Sequence, residues 1–314
     1  MDEGSEILQD AVTVFRRAPG NLRAGNKCFE CVSYRRVYVQ LGAYARGEEL
    51  LGVRDTFVAE DVEFADLEKT VRLVEEQGRQ AVIAVADVRE QQALDDAVKA
   101  GIDAFGKIDG AIANAGLWDL GPRVWETTEE KWRLITDIVL GGVFRTIKAV
   151  APHMVENRNG SIVVIASAGG LEATARITSY ISAKHGAIGL MKNSALELAE
   201  YNVRCNAVCP GAIDTKMVDN PMGRRLFAQP GAEPTREVML DGGYGSPALV
   251  GRSWLPPQAV ANACVWLLSD LAEHVTGVAL PVDGGHLIQP GYNMSPQKTS
   301  PEADRYRPPT DTPD

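Results

Sequence analysis

Tyr180 and Lys184 stand four residues apart in SYISAKHGAIGL, a run otherwise mostly small and apolar. Four-residue spacing puts two side chains on one face of a helix. A free phenol titrates near about 10, too high for a base at neutral pH. A neighbouring ammonium favours the phenolate, so the pair could exchange a proton with an alcohol or a carbonyl. Ser167 lies thirteen residues before Tyr180, at the end of the β-branched run SIVVIAS. Its hydroxyl could hydrogen-bond the same oxygen and stabilise the charge that develops there. Proton transfer and polarisation at oxygen are half of a hydride transfer, and the other half needs a nicotinamide. Taken singly, each residue is ordinary. A Y-x-x-x-K arises by chance on many helices, a strand-end serine is common, and Asn114 with Gly116 is a normal turn pair. Their joint placement on consecutive strand–helix units is what gives them weight.

Those units are regular from Asp66 onward. DLEKTVRLVEEQG sets Leu67, Val71 and Val74 at helical spacing, with Gly78 as a stop. AVIAVADV, 81–88, is the continuous apolar run of a strand buried on both faces. A helix is predicted from Gln91 to Phe105, then a buried strand and loop in DGAIANAG, 109–116. Thr127 and Glu130 form a capping-box pattern at the head of a long helix reaching about Met154. A strand at 161–167, the Tyr180 helix to about Tyr201, and a strand at 202–208 come next. Pro256 and Pro257 suit the start of a helix running through Leu268, and GVALPVDGG, 277–285, closes the pattern. This alternation predicts an α/β fold with a doubly wound parallel sheet, Rossmann-like. Right-handed crossovers put all strand C-termini on one edge. Asp87, Asn114, Ser167 and Pro210 each fall at or just past such an end. The stretch 216–255 is irregular, and the polar, proline-rich 291–314 reads as a disordered tail. The organisation expected is an atypical segment over 1–50, one domain over 51–290, and that tail.

The totals narrow the function classes. A net charge of −10 disfavours a nucleic-acid surface. No apolar run reaches the roughly 18 residues of a membrane helix. The acidic start MDEGSEILQD lacks the plan of a secretory signal, so a cytoplasmic protein is expected. The five cysteines, at 28, 31, 205, 209 and 264, read as reduced thiols, with no metal site expected. Ser167 lies in no G-x-S-x-G, and no H-E-x-x-H occurs, which speaks against a serine hydrolase or a zinc enzyme.

With these residues in view, the chain resembles the short-chain dehydrogenase/reductase family over roughly residues 55–290. The matching pieces are Asp87–Val88, the NAG at 114–116, Ser167 ahead of the Y-x-x-x-K, and PGAIDT at 210–215. Finer features, DLEKTVRLVEEQGR, SAKHG and VTGVALPVDGG, resemble a subgroup of carveol-dehydrogenase-like and mycofactocin-associated enzymes. The resemblance implies an NAD(H)-dependent oxidoreductase for a small-molecule secondary alcohol or ketone. It implies Tyr180 as acid/base, Lys184 lowering its pKa and holding the nicotinamide ribose, and Ser167 orienting the substrate oxygen. Asp87 and Val88 would contact adenine, and Asn114 and Gly116 would line the cofactor. Pro210, Gly211, Ile213 and Thr215 would embrace the nicotinamide end. A lid over about 216–255 would cover the substrate, shaped near Trp118 and Leu171. Helices at about 128–154 and 180–200 would pair in a homodimer, usually within a tetramer.

Two features depart from the family pattern. Val139 stands in DIVLGGV where the family carries an asparagine that supports a proton relay; an isopropyl group neither donates nor accepts a hydrogen bond. The glycine-rich turn T-G-x-x-x-G-x-G is also missing, VYVQLGAYARG at 37–47 being its nearest remnant. A βαβ unit needs about 30 residues, so the first such unit is expected to be degraded or replaced, with loss of both central strands. A mistranslated or mis-spliced N-terminus is the favoured explanation, beside a degenerate segment or an unfamiliar substitute. The alternative function is a catalytically inactive relative serving as a structural or oligomer partner.

Overall fold

The computed structural model describes residues 13–17, 37–41, 64–76, 79–118, 121–228, 232–243, 246–249 and 254–289. Among them the chain forms β1 (Thr13–Arg17), β2 (Val37–Leu41), α1 (Phe64–Glu76), β3 (Arg79–Ile83), α2 (Gln91–Phe105) and β4 (Gly110–Ala113). Then come α3 (Glu129–Thr136), α4 (Gly142–Asn157), β5 (Gly160–Ile165), α5 (Thr178–Leu198) and β6 (Val203–Pro210). Two short helices, α6 (Pro221–Phe227) and α7 (Arg236–Gly242), precede α8 (Pro257–Leu268) and β7 (Ala279–Val282). The strands make one sheet in the order β3-β1-β2-β4-β5-β6-β7.

Strands β2, β4, β5, β6 and β7 run parallel, each beside the next. They are wound on both faces, and the pleat of β5 shows how. Ile162 and Val164 pack with Val143 of α4 and Ala187 of α5 on one side. Val163 joins Val208 of β6 and Leu267 of α8 on the other. Successive side chains of a strand point to opposite faces, so a strand covered on both must be apolar throughout. Ser161 of β5 is a polar exception, and so is Asn206, fully buried in β6. Its amide donates to the Val275 carbonyl at 2.8 Å and its oxygen accepts from the Val278 amide at 3.0 Å, fixing the approach to β7.

The expected all-parallel sheet is corrected at one strand. β1 is antiparallel to both β2 and β3 and lies between them. The places expected to be vacant are therefore filled. β2, the VYVQL run, takes the central position beside β4, and β1 enters from the opposite direction to bridge β2 and β3. The proposed turn at Gly42–Gly47, the pair Cys28 and Cys31, and the tail 291–314 lie outside the described residues.

Other boundaries move for local reasons. Thr128, not Thr127, caps α3: its hydroxyl accepts the Lys131 amide at 3.2 Å. The long helix beyond α3 is not one α-helix. Residues Asp137–Gly141 form a π-helical turn, with Val139 fully buried inside it, before α4 resumes. Such a turn adds a residue to the helical register and re-aims the helix beyond it. β3 stops at Ile83 because the chain leaves the sheet to cross α4. There Val88 packs where a Cβ on Gly142 would come within 2.9 Å of it, and Arg145 donates to the Val88 carbonyl at 3.3 Å.

Candidate active site

Strand register brings the candidates together. Ala113 pairs with Val164, and Ile165 with Val208. Asn114–Gly116 and Ala166–Ser167 thus leave the sheet side by side at one edge, next to Cys209 and Pro210 at the end of β6. α5 then returns across that edge with Tyr180 and Lys184 in its first two turns.

Ser167 is set by its own backbone turn. Its Oγ accepts the Gly169 amide at 3.1 Å, at the head of the short turn Ala168–Gly170. That leaves the hydroxyl proton for another partner, and a Cβ on Gly169 would lie 3.5 Å from the Ser167 Oγ and 3.8 Å from the Tyr180 ring, so the two side chains border one space. Burial pushes the Tyr180 phenol above its ordinary value, and the neighbouring Ser167 hydroxyl opposes that shift. Lys184 is buried, and its ammonium donates to the Ile165 carbonyl at 2.7 Å. The same nitrogen stands 5.5 Å from the Tyr180 ring centroid. Burial lowers its pKa to about 8, with Cys209 opposing. A charged amine kept in so dry a place needs acceptors, and the Ile165 carbonyl is one.

A glycine makes the close packing possible. A Cβ on Gly170 would lie 2.9 Å from the Lys184 carbonyl oxygen and 2.7 Å from Ile188. The turn that carries Ser167 therefore sits directly on the α5 backbone. Neither Gly170 nor Ile165 was among the residues expected here. Gly170 has a sequence signal only as part of a glycine pair, and Ile165 acts through its backbone, which has none.

The remaining candidates fall around this trio. Gly116 is buried, and a Cβ there would come within 3.7 Å of the Lys184 nitrogen, so its lack of a side chain keeps open the space beside the ammonium. Asn114 lies two residues before it, half-buried at the β4 exit. Gly211 donates its amide to Val282 at 3.0 Å, and Ile213 bridges to Leu255. The Thr215 carbonyl accepts the amides of Val218 and Asp219 at 3.1 and 2.9 Å. Asp87 and Val88 stand apart, four and five residues beyond β3. The Asp87 carboxylate accepts the Arg89 amide at 2.8 Å and its guanidinium at 2.6 Å.

The lid expected to be irregular contains α6 and α7, each seven residues long and too short to show a period. It is tied down by charge. Arg236 of α7 donates to Asp214 at 2.7 Å and to Asp219 at 2.5 Å, and Arg224 of α6 donates to Asp219 at 2.6 Å. These guanidinium bonds hold the Asp219 carboxyl below its usual range against the effect of burial. Trp118 is buried and its indole donates to the Met217 carbonyl at 2.6 Å, joining the β4 exit to the lid. Leu171 is exposed. Cys205, Cys209 and Cys264 are free, buried thiols, and burial pushes them up to about 12, 11 and 12. None of the described helices is long and apolar enough to cross a membrane.

Known proteins resemble this chain in sequence and fold. The family model described as enoyl-(acyl carrier protein) reductase matches residues 55–286. The chain is 38% identical over 225 residues to (-)-trans-carveol dehydrogenase of Rhodococcus erythropolis, covering 71% of this chain and 81% of that protein. It also resembles the crystal structure of carveol dehydrogenase from Mycobacterium avium in complex with NAD, with a TM-score of 0.72 and 36% identity, over 76% of this chain and 85% of that one. A short chain dehydrogenase from Mycobacterium paratuberculosis bound to NAD gives a TM-score of 0.65 at 32% identity, over 73% and 82%. The family match begins after β1 and β2, although both strands belong to the sheet. Fold and similarity together place this chain in the short-chain dehydrogenase/reductase family, a family of oxidoreductases.

Proposed function

We propose that this protein is an NAD(H)-dependent oxidoreductase that interconverts a secondary alcohol and a ketone, with Tyr180 as the acid/base. The observation that carries this reading is the trio itself: the Ser167 hydroxyl and the Tyr180 ring border one space over Gly169, with the buried Lys184 ammonium 5.5 Å from that ring and tied to the Ile165 carbonyl. In oxidation, Tyr180 takes the hydroxyl proton of the substrate. Ser167 donates to the substrate oxygen and keeps it facing the phenol. Lys184 offsets the charge of the phenolate.

NAD supplies the acceptor or donor of the hydride, a chemistry no side chain offers. The residues present fit its nicotinamide end. The open space at Gly116 adjoins Lys184, and the turn from Pro210 through Gly211 and Ile213 to Thr215 borders the same sheet edge. Lys184 would hold the ribose and Asn114 would line the cofactor, while Asp87 and Val88 would meet the adenine. The two solved relatives named above carry NAD, which supports this choice of cofactor. The rival reading, an inactive structural partner, gains nothing from a site in which all three residues are assembled.

The domain is proposed to span 51–290, working in the cytoplasm on a small molecule. The paired helices α4 and α5 expose Phe144 and Leu196, which suits the expected homodimer or tetramer. The function is tested by following NADH during oxidation of a panel of cyclic secondary alcohols. Turnover that depends on Tyr180 supports it. A folded protein that neither binds NADH nor turns over any member of the panel overturns it.

A further inference from the structure

The DGG at 283–285 builds a turn that touches both the lid and the loop beyond Ser167. Asp283 is buried and caps the turn, its two oxygens accepting the Gly285 and Leu287 amides at 2.8 and 2.9 Å. Gly284 and Gly285 have φ of 64° and 87°, the left-handed region that glycine reaches without strain. A Cβ on Gly284 would come within 2.7 Å of the Cβ of Pro247, so the lid rests on this turn. The Gly284 carbonyl accepts the amides of Ala248 and Leu249 at 2.9 and 3.0 Å.

His286 comes directly after the turn and faces two elements at once. Its Nδ1 lies 2.9 Å from the carbonyl oxygen of Ser246 in the lid. Its Nε2 lies 2.7 Å from a carboxylate oxygen of Glu172, five residues past Ser167. Both partners are acceptors. A neutral imidazole has one N–H and can satisfy one of them, leaving its bare nitrogen against the other; an imidazolium donates to both. Glu172 on the loop after β5 and Asp283 on the turn itself are the charged groups around the ring, and both are anionic. The Ser246 hydroxyl, 3.4 Å from Nδ1, and Gln289, donating to the Ser246 carbonyl at 2.5 Å, complete its surroundings among the described residues.

We propose that His286 is a proton-operated latch, which as imidazolium ties the lid at Ser246 to the Glu172 loop and on losing its second ring proton releases one of the two. The proposal rests on the proposed function only in taking the segment that contains Ser246 to cover the substrate. Glu172, Asp283 and the Ser246 carbonyl hold the His286 pKa above its ordinary 6.5, against the effect of burial. A group raised on folding contributes fully below its ordinary value and loses that contribution as pH rises through the raised one. The latch is therefore closed below the ordinary value of 6.5 and opens as pH rises through the raised one.

The test is hydrogen exchange at the Ala248 and Leu249 amides, corrected for intrinsic rate, across pH 5 to 9, on the full chain without substrate or cofactor. Protection is expected to fall roughly three- to tenfold as pH rises, the size of one hydrogen bond. In His286→Gln it should stay flat, and in Glu172→Gln the midpoint should move to lower pH. Protection that is flat in the wild type, or that falls equally in His286→Gln, overturns the latch. Should the variants fail to fold, the His286 imidazole titration by NMR decides. A midpoint above 6.5 supports the latch, and one at or below 6.5 refutes it. No outcome here depends on turnover. Inactivity with a normal amide titration would count against the proposed function and not against the latch.

Discussion

Lys184 donates its ammonium proton to the Ile165 carbonyl, at 2.7 Å and two residues before Ser167. The strand that delivers the serine therefore also fixes the lysine, and α5 brings the tyrosine to both. Ser167 stands two residues past the end of that strand, and Tyr180 and Lys184 share the first two turns of one helix. Sites carried on strands and helices keep their geometry better than sites on loops.

The serine's part is measurable as a pH shift. Burial raises the Tyr180 pKa, and the neighbouring Ser167 hydroxyl works against that rise. Ser167→Ala should move the phenol further upward, so the alkaline-rising limb of the oxidation profile moves to higher pH. Turnover at neutral pH should fall by about 10²-fold or more. An unmoved limb would show that the hydroxyl does not act on the phenol.

Lys184 makes stability depend on pH. Burial lowers its pKa from 10.5 to about 8, so between these values the unfolded chain binds more protons than the folded one. Stability then rises with pH across that window, by no more than about 3 kcal/mol. Lys184→Met should lack this rise, as read from denaturant midpoints at pH 7.5 and 10. Parallel curves for the two proteins would contradict the burial account.

Gly170 should not tolerate even a methyl group. The new Cβ would press on the Lys184 carbonyl at 2.9 Å, and backbone cannot yield as a side-chain tip does. Gly170→Ala is expected to cost about 1–3 kcal/mol and to lower turnover together with stability. A stable variant that is nonetheless slow would mean that only the lysine had moved.

The lid clamp is electrostatic and partly exposed. Arg236→Met removes the bonds to Asp214 and Asp219. Its side chain is 45% exposed, so the stability loss should stay below about 1 kcal/mol. The substrate KM should rise several-fold with little change in kcat, and added salt should reproduce part of that rise in the wild type.

Val139 is fully buried in the π-helical turn, packed with the core. Restoring an asparagine there places a polar amide in an apolar pocket. Val139→Asn should lose about 1–3 kcal/mol. Undiminished stability with faster turnover would instead reveal a polar channel beside it.

Much of this was legible in the sequence, for reasons tied to particular residues. β5 was readable from its β-branched run SIVVIAS, and α2 because its apolar face and Gly106 mark its extent. The Tyr180–Lys184 spacing gave the pair, and Ser167 emerged from its place at the end of a strand. β1 was not readable. Its five residues, TVFRR, pair with partners far along the chain, and nothing local records that. The π-helical turn and the Ile165 carbonyl are backbone features, blind to side-chain identity. The Glu172–His286 pair, 114 residues apart, becomes visible only once the sheet has been assembled.

The most direct measurement compares wild type with Tyr180→Phe for NADH formation from a secondary-alcohol panel, beside NADH binding by fluorescence. The account predicts NADH binding in both, and turnover in the wild type that drops by at least about 10²-fold in the variant. Turnover that survives the loss of the hydroxyl, or a folded wild type that binds no NADH, would contradict it.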